Sequence, residues 1–208
     1  RKENIDGIVV DLRGNGGGSL AEATALTGLF IKSGPIVQVK DADGEIKFNL
    51  DPSPDIAYSG PLAVLVDRYS ASASEIFAGA IQDYKRGIII GEATFGKGTV
   101  QTLIDLNNLV KPTVGELGQL KITLAQFFRI NGESTQFRGV LPDIVFPTYH
   151  ESEKQGERGL DNALPWAQIK AAKFSFSELA PNALAYSKKQ YESRLGSDQR
   201  FKILQEES

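Results

Sequence analysis

Two stretches of this chain repeat one design: a short apolar run, a turn of small residues, then a helix. Ile5 to Leu12 (IDGIVVDL) runs into Gly14-Asn15-Gly16-Gly17-Gly18, and Leu62 to Val66 runs into Asp67-Arg68-Tyr69-Ser70-Ala71-Ser72-Ala73-Ser74-Glu75. Continuous apolar runs of this length suit strands buried on both faces, the situation in parallel sheets covered by helices. After the first turn, Ser19-Leu20-Ala21-Glu22 has the Ser-x-x-Glu form of a capping box. Ala23, Leu26, Leu29 and Phe30 then recur at helical spacing until Gly34-Pro35 stops them. After the second, Ile76, Phe77, Ala80 and Ile81 space a helix through Tyr84, with Gly87 near its end. The expected fold class is therefore α/β.

Antiparallel additions accompany this core. Ile36 to Val39 and Ile46 to Phe48 flank Asp43-Gly44 as a hairpin, and Pro52, Pro54, Gly60 and Pro61 mark a loop. Ile88 to Ile90 is a further strand, Thr94 to Gly98 a tight glycine loop, and Thr99 to Leu106 a half-apolar segment. Leu120 to Ile130, a turn at Asn131-Gly132 and Thr135 to Val140 read as the clearest hairpin. From Tyr149 the texture becomes polar, and two helices are expected near Leu160 to Ala172 and Leu179 to Leu195. Nine acidic and nine basic residues from Tyr149 onward leave that part neutral, so the chain's net charge of −3 lies ahead of it. The organisation expected is a core over 1–148 and a polar connection with a helical appendage over 149–208. Trp166, the only tryptophan, is expected to staple the appendage to the core.

Composition removes several chemistries. With 23 basic against 26 acidic residues and no run of five like charges, the chain lacks the electrostatic footprint of a nucleic-acid binder. It has no cysteine, which excludes disulfides, thiolate nucleophiles and cysteine metal sites while leaving the redox compartment open. There is one histidine, His150, in the polar stretch Tyr149 to Gly156, which reads as a solvated loop; a Ser-His-Asp triad would have to use it. The chain starts at Arg1, contains no Met and shows no leader or apolar run of membrane length, as expected of a fragment or a mature form.

The small-residue turns offer backbone N–H groups at helix starts, which bind either a phosphate or an oxyanion. Gly14 to Ser19 matches the dinucleotide fingerprint poorly, because Ser19 stands where its third glycine belongs. Gly91 to Gly98 nearly spells a P-loop, but Gly98 replaces the residue that holds magnesium, and Glu92 adds like charge beside the phosphates. Nucleotide binding remains as an alternative.

An oxyanion hole needs a nucleophile beside it. Ser72 presents its hydroxyl at a helix N-terminus, with the Ala73 N–H pointing the same way. Ser72 with Glu75 is equally a capping box, a pattern repeated at Ser19/Glu22 and Ser175/Glu178, and spacing alone leaves both uses open. A serine nucleophile requires a base, for which lysine is the better candidate. Lys97 lies between Gly96 and Gly98, where backbone approaches closely. A free lysine is neutral in roughly one molecule in 2,500 at pH 7, so such a base has to be desolvated. Gln101, four residues on, can orient an amine without restoring its charge. Lys97 as a solvent-exposed loop lysine is the competing use. Neither Gly-x-Ser-x-Gly nor Ser-x-x-Lys occurs.

Val10-Asp11-Leu12-Arg13-Gly14-Asn15-Gly16-Gly17-Gly18, Ser70-Ala71-Ser72-Ala73-Ser74-Glu75-Ile76, and Gly91-Glu92 through Thr94-Phe95-Gly96-Lys97-Gly98-Thr99-Val100-Gln101 together resemble the motifs of C-terminal processing, or tail-specific, serine proteases. The resemblance continues through Gly139 to Ile144 and Asp161 to Trp166, which is similar to the periplasmic tail-specific type. It implies the core shared with crotonase-like and Clp-type proteases, built of strand-strand-helix units. It also implies Ser72 as nucleophile, Lys97 as general base, Gln101 as the residue that positions the lysine, and Gly18 and Ala73 as oxyanion donors. Glu75 and Asp83 are implied as supporting acids. It implies no metal or organic cofactor, a periplasmic location, and protein or peptide substrates with apolar C-termini. A PDZ module of the parent chain is implied ahead of this core, none standing within these 208 residues, as is peripheral association of the parent with membrane. The other-class alternative is a non-catalytic module of the same core that binds peptide or nucleotide.

Overall fold

In a computed structural model of the chain, residues 5–109, 115–147, 155–176 and 182–206 are described. His150 and the Glu178 end of the Ser175/Glu178 pattern lie outside them. The apolar runs form a parallel sheet of β1 (Ile8–Asp11), β4 (Leu62–Val66), β5 (Ile88–Gly91) and β8 (Ile144–Val145), in the order β1-β4-β5-β8. The antiparallel additions form a second sheet of β2 (Gly34–Asp41), β3 (Ile46–Asp51), β6 (Thr99–Asp105) and β7 (Gln119–Phe128), in the order β3-β2-β7-β6.

One helix joins the two sheets. In α2 (Ala73–Asp83), all nine residues from Ala73 to Ile81 are buried; apart from Ser74 and Glu75 in the first turn they are apolar or glycine, as expected of a helix enclosed on every side. Phe77, Ala78 and Ile81 pack with Val64, Val66 and Ile89 of the parallel sheet. Ala73, Ile76 and Ala80 pack with Ile36, Val37 and Phe127 of the other sheet and with Ala23 of α1 (Leu20–Gly28). Full burial of each large apolar side chain contributes roughly 1.5–3 kcal/mol. The functional consequence is positional: the N-terminus of α2 is held rigidly where β4 delivers the chain.

Two expectations are corrected. Leu160 to Ala172 is not a helix. Pro165 interrupts its interior, removing an amide and clashing with the preceding turn, and the segment instead runs extended beside residues 130–134. Ser134 donates to Ala167 O, Ile169 to Gly132 O and Ala172 to Ile130 O. Thr135 to Val140 is likewise not a strand. The hairpin pairs only as far as Phe128 with Ser134, and the chain then turns through Phe137, at φ 70°, to wrap the Thr94 to Gly98 loop. The appendage contains α3 (Ala183–Ser197) and α4 (Gln199–Glu206). Trp166 does fasten this part to the core: its indole N–H donates to Ser134 O at 3.0 Å, and the Arg138 guanidinium lies 3.8 Å from its ring centre.

Candidate active site

Three loops converge at the start of α2. The first, Leu12 to Gly18, is sewn to the second, Asp67 to Ser72. Gly14 N–H donates to the Asp67 carboxylate, the Ser70 hydroxyl to Leu12 O, and Ala71 N–H and the Ser74 hydroxyl to Asn15 O. Gly17 takes φ 97° and passes so close to the serine turn that a Cβ there would stand 2.5 Å from Ala71 O; only glycine fits. The amides of Gly18 and Ala73 donate to no protein acceptor among the described residues, so both are free to receive an oxygen.

The two Ser-x-x-Glu patterns behave differently. Ser19 is an ordinary N-cap with extended backbone (φ −73°, ψ 129°), and its hydroxyl accepts the Glu22 N–H. Ser72 has φ 57° and ψ −113°, outside the regions that L-residues adopt without strain. Such backbone costs on the order of 1–3 kcal/mol and persists only where its surroundings over-determine it. Capping alone gives no reason for it, since Ser19 caps without it.

Glu75 is what over-determines the turn. It is fully buried and accepts four hydrogen bonds. Oε1 takes the Thr94 hydroxyl at 2.6 Å and Gly96 N–H at 2.8 Å, while Oε2 takes Ser72 N–H at 2.7 Å and Lys97 N–H at 3.0 Å. Two amides that share one oxygen cannot stand farther apart than those two bonds laid end to end. A single carboxylate thus fixes the backbones of Ser72 and Lys97 against each other. Burial pushes its pKa up to about 7, and the four donors oppose that rise without cancelling it.

The Lys97 loop is seated by backbone approach. A Cβ on Gly98 would meet Gln136 N at 2.6 Å, and the Gln136 side-chain oxygen Oε1 accepts Gly98 N–H at 2.8 Å. Lys97 itself is half-buried. Gln101 lies on β6, exposed, and its amide makes a long 3.5 Å bond to the Thr123 hydroxyl. Sequence reasoning missed Asp67, Thr94 and Gln136, the residues that fasten these loops. The Asp-x-x-Ser turn at Asp67 and Ser70 was a usable signal, whereas Gln136 carried none.

Asp83 is not brought to this site. It ends α2, about 15 Å along the helix from Ala73, and its carboxylate pairs with Arg129. Both side chains are largely buried, so removing one strands the other's charge. Asp83→Ala is expected to lose about 3–5 kcal/mol, read as a lowered urea midpoint. The double variant Asp83→Leu, Arg129→Met should recover much of it, and a double variant as unstable as the single one would refute this structural role.

A serine on strained backbone at a buried helix start, flanked by two unpaired amides and tied to a lysine loop, is the arrangement of a serine-type hydrolase. The chain belongs to peptidase family S41, whose pattern matches residues 1–146. Residues 150–208 match the C-terminal domain of tail specific protease. The chain is 46% identical over 210 positions to the tail-specific protease of Haemophilus influenzae, covering 99% of this chain and 30% of that protein. It is 41% identical over 144 positions to the carboxy-terminal-processing protease of Bartonella bacilliformis, covering 69% of this chain and 31% of that protein. Among solved structures it is similar to the photosystem II D1 C-terminal processing protease, with a TM-score of 0.60 and 35% identity over 68% of this chain and 35% of that one. The chain therefore spans about 30% of the length of the curated relatives it matches.

Proposed function

We propose that this chain is the catalytic core of a serine endopeptidase that cleaves proteins near apolar C-terminal tails. Ser72 Oγ attacks the scissile carbonyl carbon while Lys97 Nζ takes the hydroxyl proton. The oxygen of the tetrahedral intermediate receives the Gly18 and Ala73 N–H groups. Collapse breaks the C–N bond, the leaving amine takes the proton from Lys97, and a seryl ester remains. Water, deprotonated by the same lysine, then hydrolyses the ester and restores Ser72. Gln101 positions the lysine. The observation that carries this reading is the pair of amides, Ser72 and Lys97, on Glu75 Oε2, because a capping serine and an unrelated loop lysine need no common anchor. We place the intact protein in the bacterial periplasm, with a PDZ module that receives substrate tails.

Trapping the ester tests it. Acid-quenching the intact protein during turnover of an apolar-tailed substrate, followed by mass analysis, should find an acyl group on the peptide holding Ser72 and none after Ser72→Ala. Cleavage that persists in Ser72→Ala would refute the assignment and favour a binding role for this core.

A further inference from the structure

Among the described residues the antiparallel sheet ends on β6, and the phase of its ladder is fixed at both ends. Leu106 N–H donates to Gly118 O, and Phe127 N–H to Gly98 O. Alternate residues of an antiparallel strand turn their backbone groups to the same side, so Gly98, Val100, Thr102 and Ile104 face β7. Thr99, Gln101, Leu103 and Asp105 face away from it. The sheet's irregularity does not break this row, because the unmatched residue is Leu124 of β7, between partners Val100↔Ala125 and Gln101↔Thr123. Lys97 belongs to the same outward series, and its N–H is the one bound to Glu75 Oε2 together with Ser72 N–H. Followed backwards, the exposed edge at Leu103 and Gln101 runs through the buried Thr99 to Lys97, whose carbonyl oxygen accepts the Thr135 hydroxyl, beside the serine turn.

An open edge is an aggregation hazard that proteins usually blunt with lysine, proline or a bulge on the edge strand itself. β3, at the opposite end of the sheet, carries Lys47. The sequence of β6, Thr-Val-Gln-Thr-Leu-Ile-Asp, has no basic residue, proline or glycine, its bulge lies on the neighbour, and Leu103 is 60% exposed. We propose that this edge is the docking strand for the polypeptide substrate. An extended segment of the substrate pairs with the outward N–H and C=O groups of the exposed Gln101 and Leu103 as a fifth strand of this sheet, and its scissile carbonyl is delivered at the Ser72 end, past the buried Thr99. Main-chain pairing is indifferent to sequence, as a protease acting on varied unfolded segments requires. Selectivity then comes from alternate substrate side chains, one of which lies beside Leu103. The proposal rests on the protease reading for its occupant, but binding can be measured without turnover.

Leu103→Pro in the intact Ser72→Ala protein is the test. Proline here removes an outward N–H and no ladder bond to β7, the position in a sheet where it is tolerated. The probe is a fluorescent, terminally blocked extended peptide with alternating apolar residues, which offers no free carboxylate to a tail-reading module. Its affinity should fall about tenfold, the scale of one lost hydrogen bond with its partner left unsatisfied, while the melting temperature stays near that of the parent. Unchanged affinity would overturn the docking strand even if Ser72 acylation is found. Should Leu103→Pro misfold, N-methylating the peptide's backbone one residue at a time against the unsubstituted edge gives the same reading: alternate positions should lose binding, and indifference at every position overturns the proposal. Loss of Ser72 acylation with edge binding intact would sink the protease reading alone.

Discussion

Lys97→Arg in the intact protein should abolish peptide turnover as completely as Ser72→Ala, by on the order of 10³-fold or more, and leave substrate binding nearly unchanged. Arginine keeps the positive charge and much of the length of lysine but does not deprotonate near neutrality. The substitution therefore separates a charge role from a proton-transfer role. The loop tolerates the change at the backbone, because its fit depends on Gly96 and Gly98 and on the Lys97 N–H, all of which remain. Gln101→Ala should cost less, since it loosens the amine without removing it. Single-turnover cleavage from about pH 6 to 10, with binding followed separately, is the measurement. More than a few per cent of the rate surviving in Lys97→Arg would make Lys97 a structural loop residue.

Much of this site was legible because its chemistry is written in small residues. Gly17 and Gly98 are demanded by backbone approaches too close for a Cβ, and such demands leave glycine clusters that a sequence displays openly. β4, β5 and α2 were equally plain, since covered parallel strands and an enclosed helix are rich in apolar residues; β1 departs from its expected burial on both faces, with Val9 64% exposed. What remained hidden depends on distant partners. Ser19 and Ser72 carry the same local pattern, and only the Thr94, Gly96 and Lys97 groups that arrive from another loop make Glu75 a clamp rather than a cap. Leu160 to Ala172 misled because its apolar spacing fits a helix, although Pro165 and the open backbone of 130–134 favour an extended partner. The family resemblance implies Asp83 as a supporting acid, and only the position of Arg129, 46 residues later, shows the ion pair that its carboxylate makes.

Glu75 carries the sharpest prediction, because its effects on activity and on stability run in opposite directions with pH. The carboxylate accepts all four donors only when ionised, so the loops of Ser72 and Lys97 are best fixed above about pH 7, and turnover should rise as pH passes through that value. Stability follows the other sign. The folded-state pKa lies above the ordinary 4.5, so the group's contribution to stability is fully present below pH 4.5 and is lost as pH rises through about 7. That loss amounts to a few kcal/mol at one pKa unit per ~1.4 kcal/mol. Glu75→Gln keeps the shape and ends the titration. One of its two positions becomes an NH₂ group facing donors, which leaves at least one buried amide unpaired and should lower turnover about 10- to 100-fold near pH 8. Glu75→Leu strips all four acceptors and should be worse by at least tenfold again. The decisive comparison is the pH dependence of turnover and of the melting temperature in Glu75→Gln beside the unsubstituted protein. The rise in turnover near pH 7 should flatten, and the stability advantage of the unsubstituted protein should shrink from pH 4.5 to 7. A rise near pH 7 that survives in Glu75→Gln would assign it to another group and reduce Glu75 to a neutral packing element.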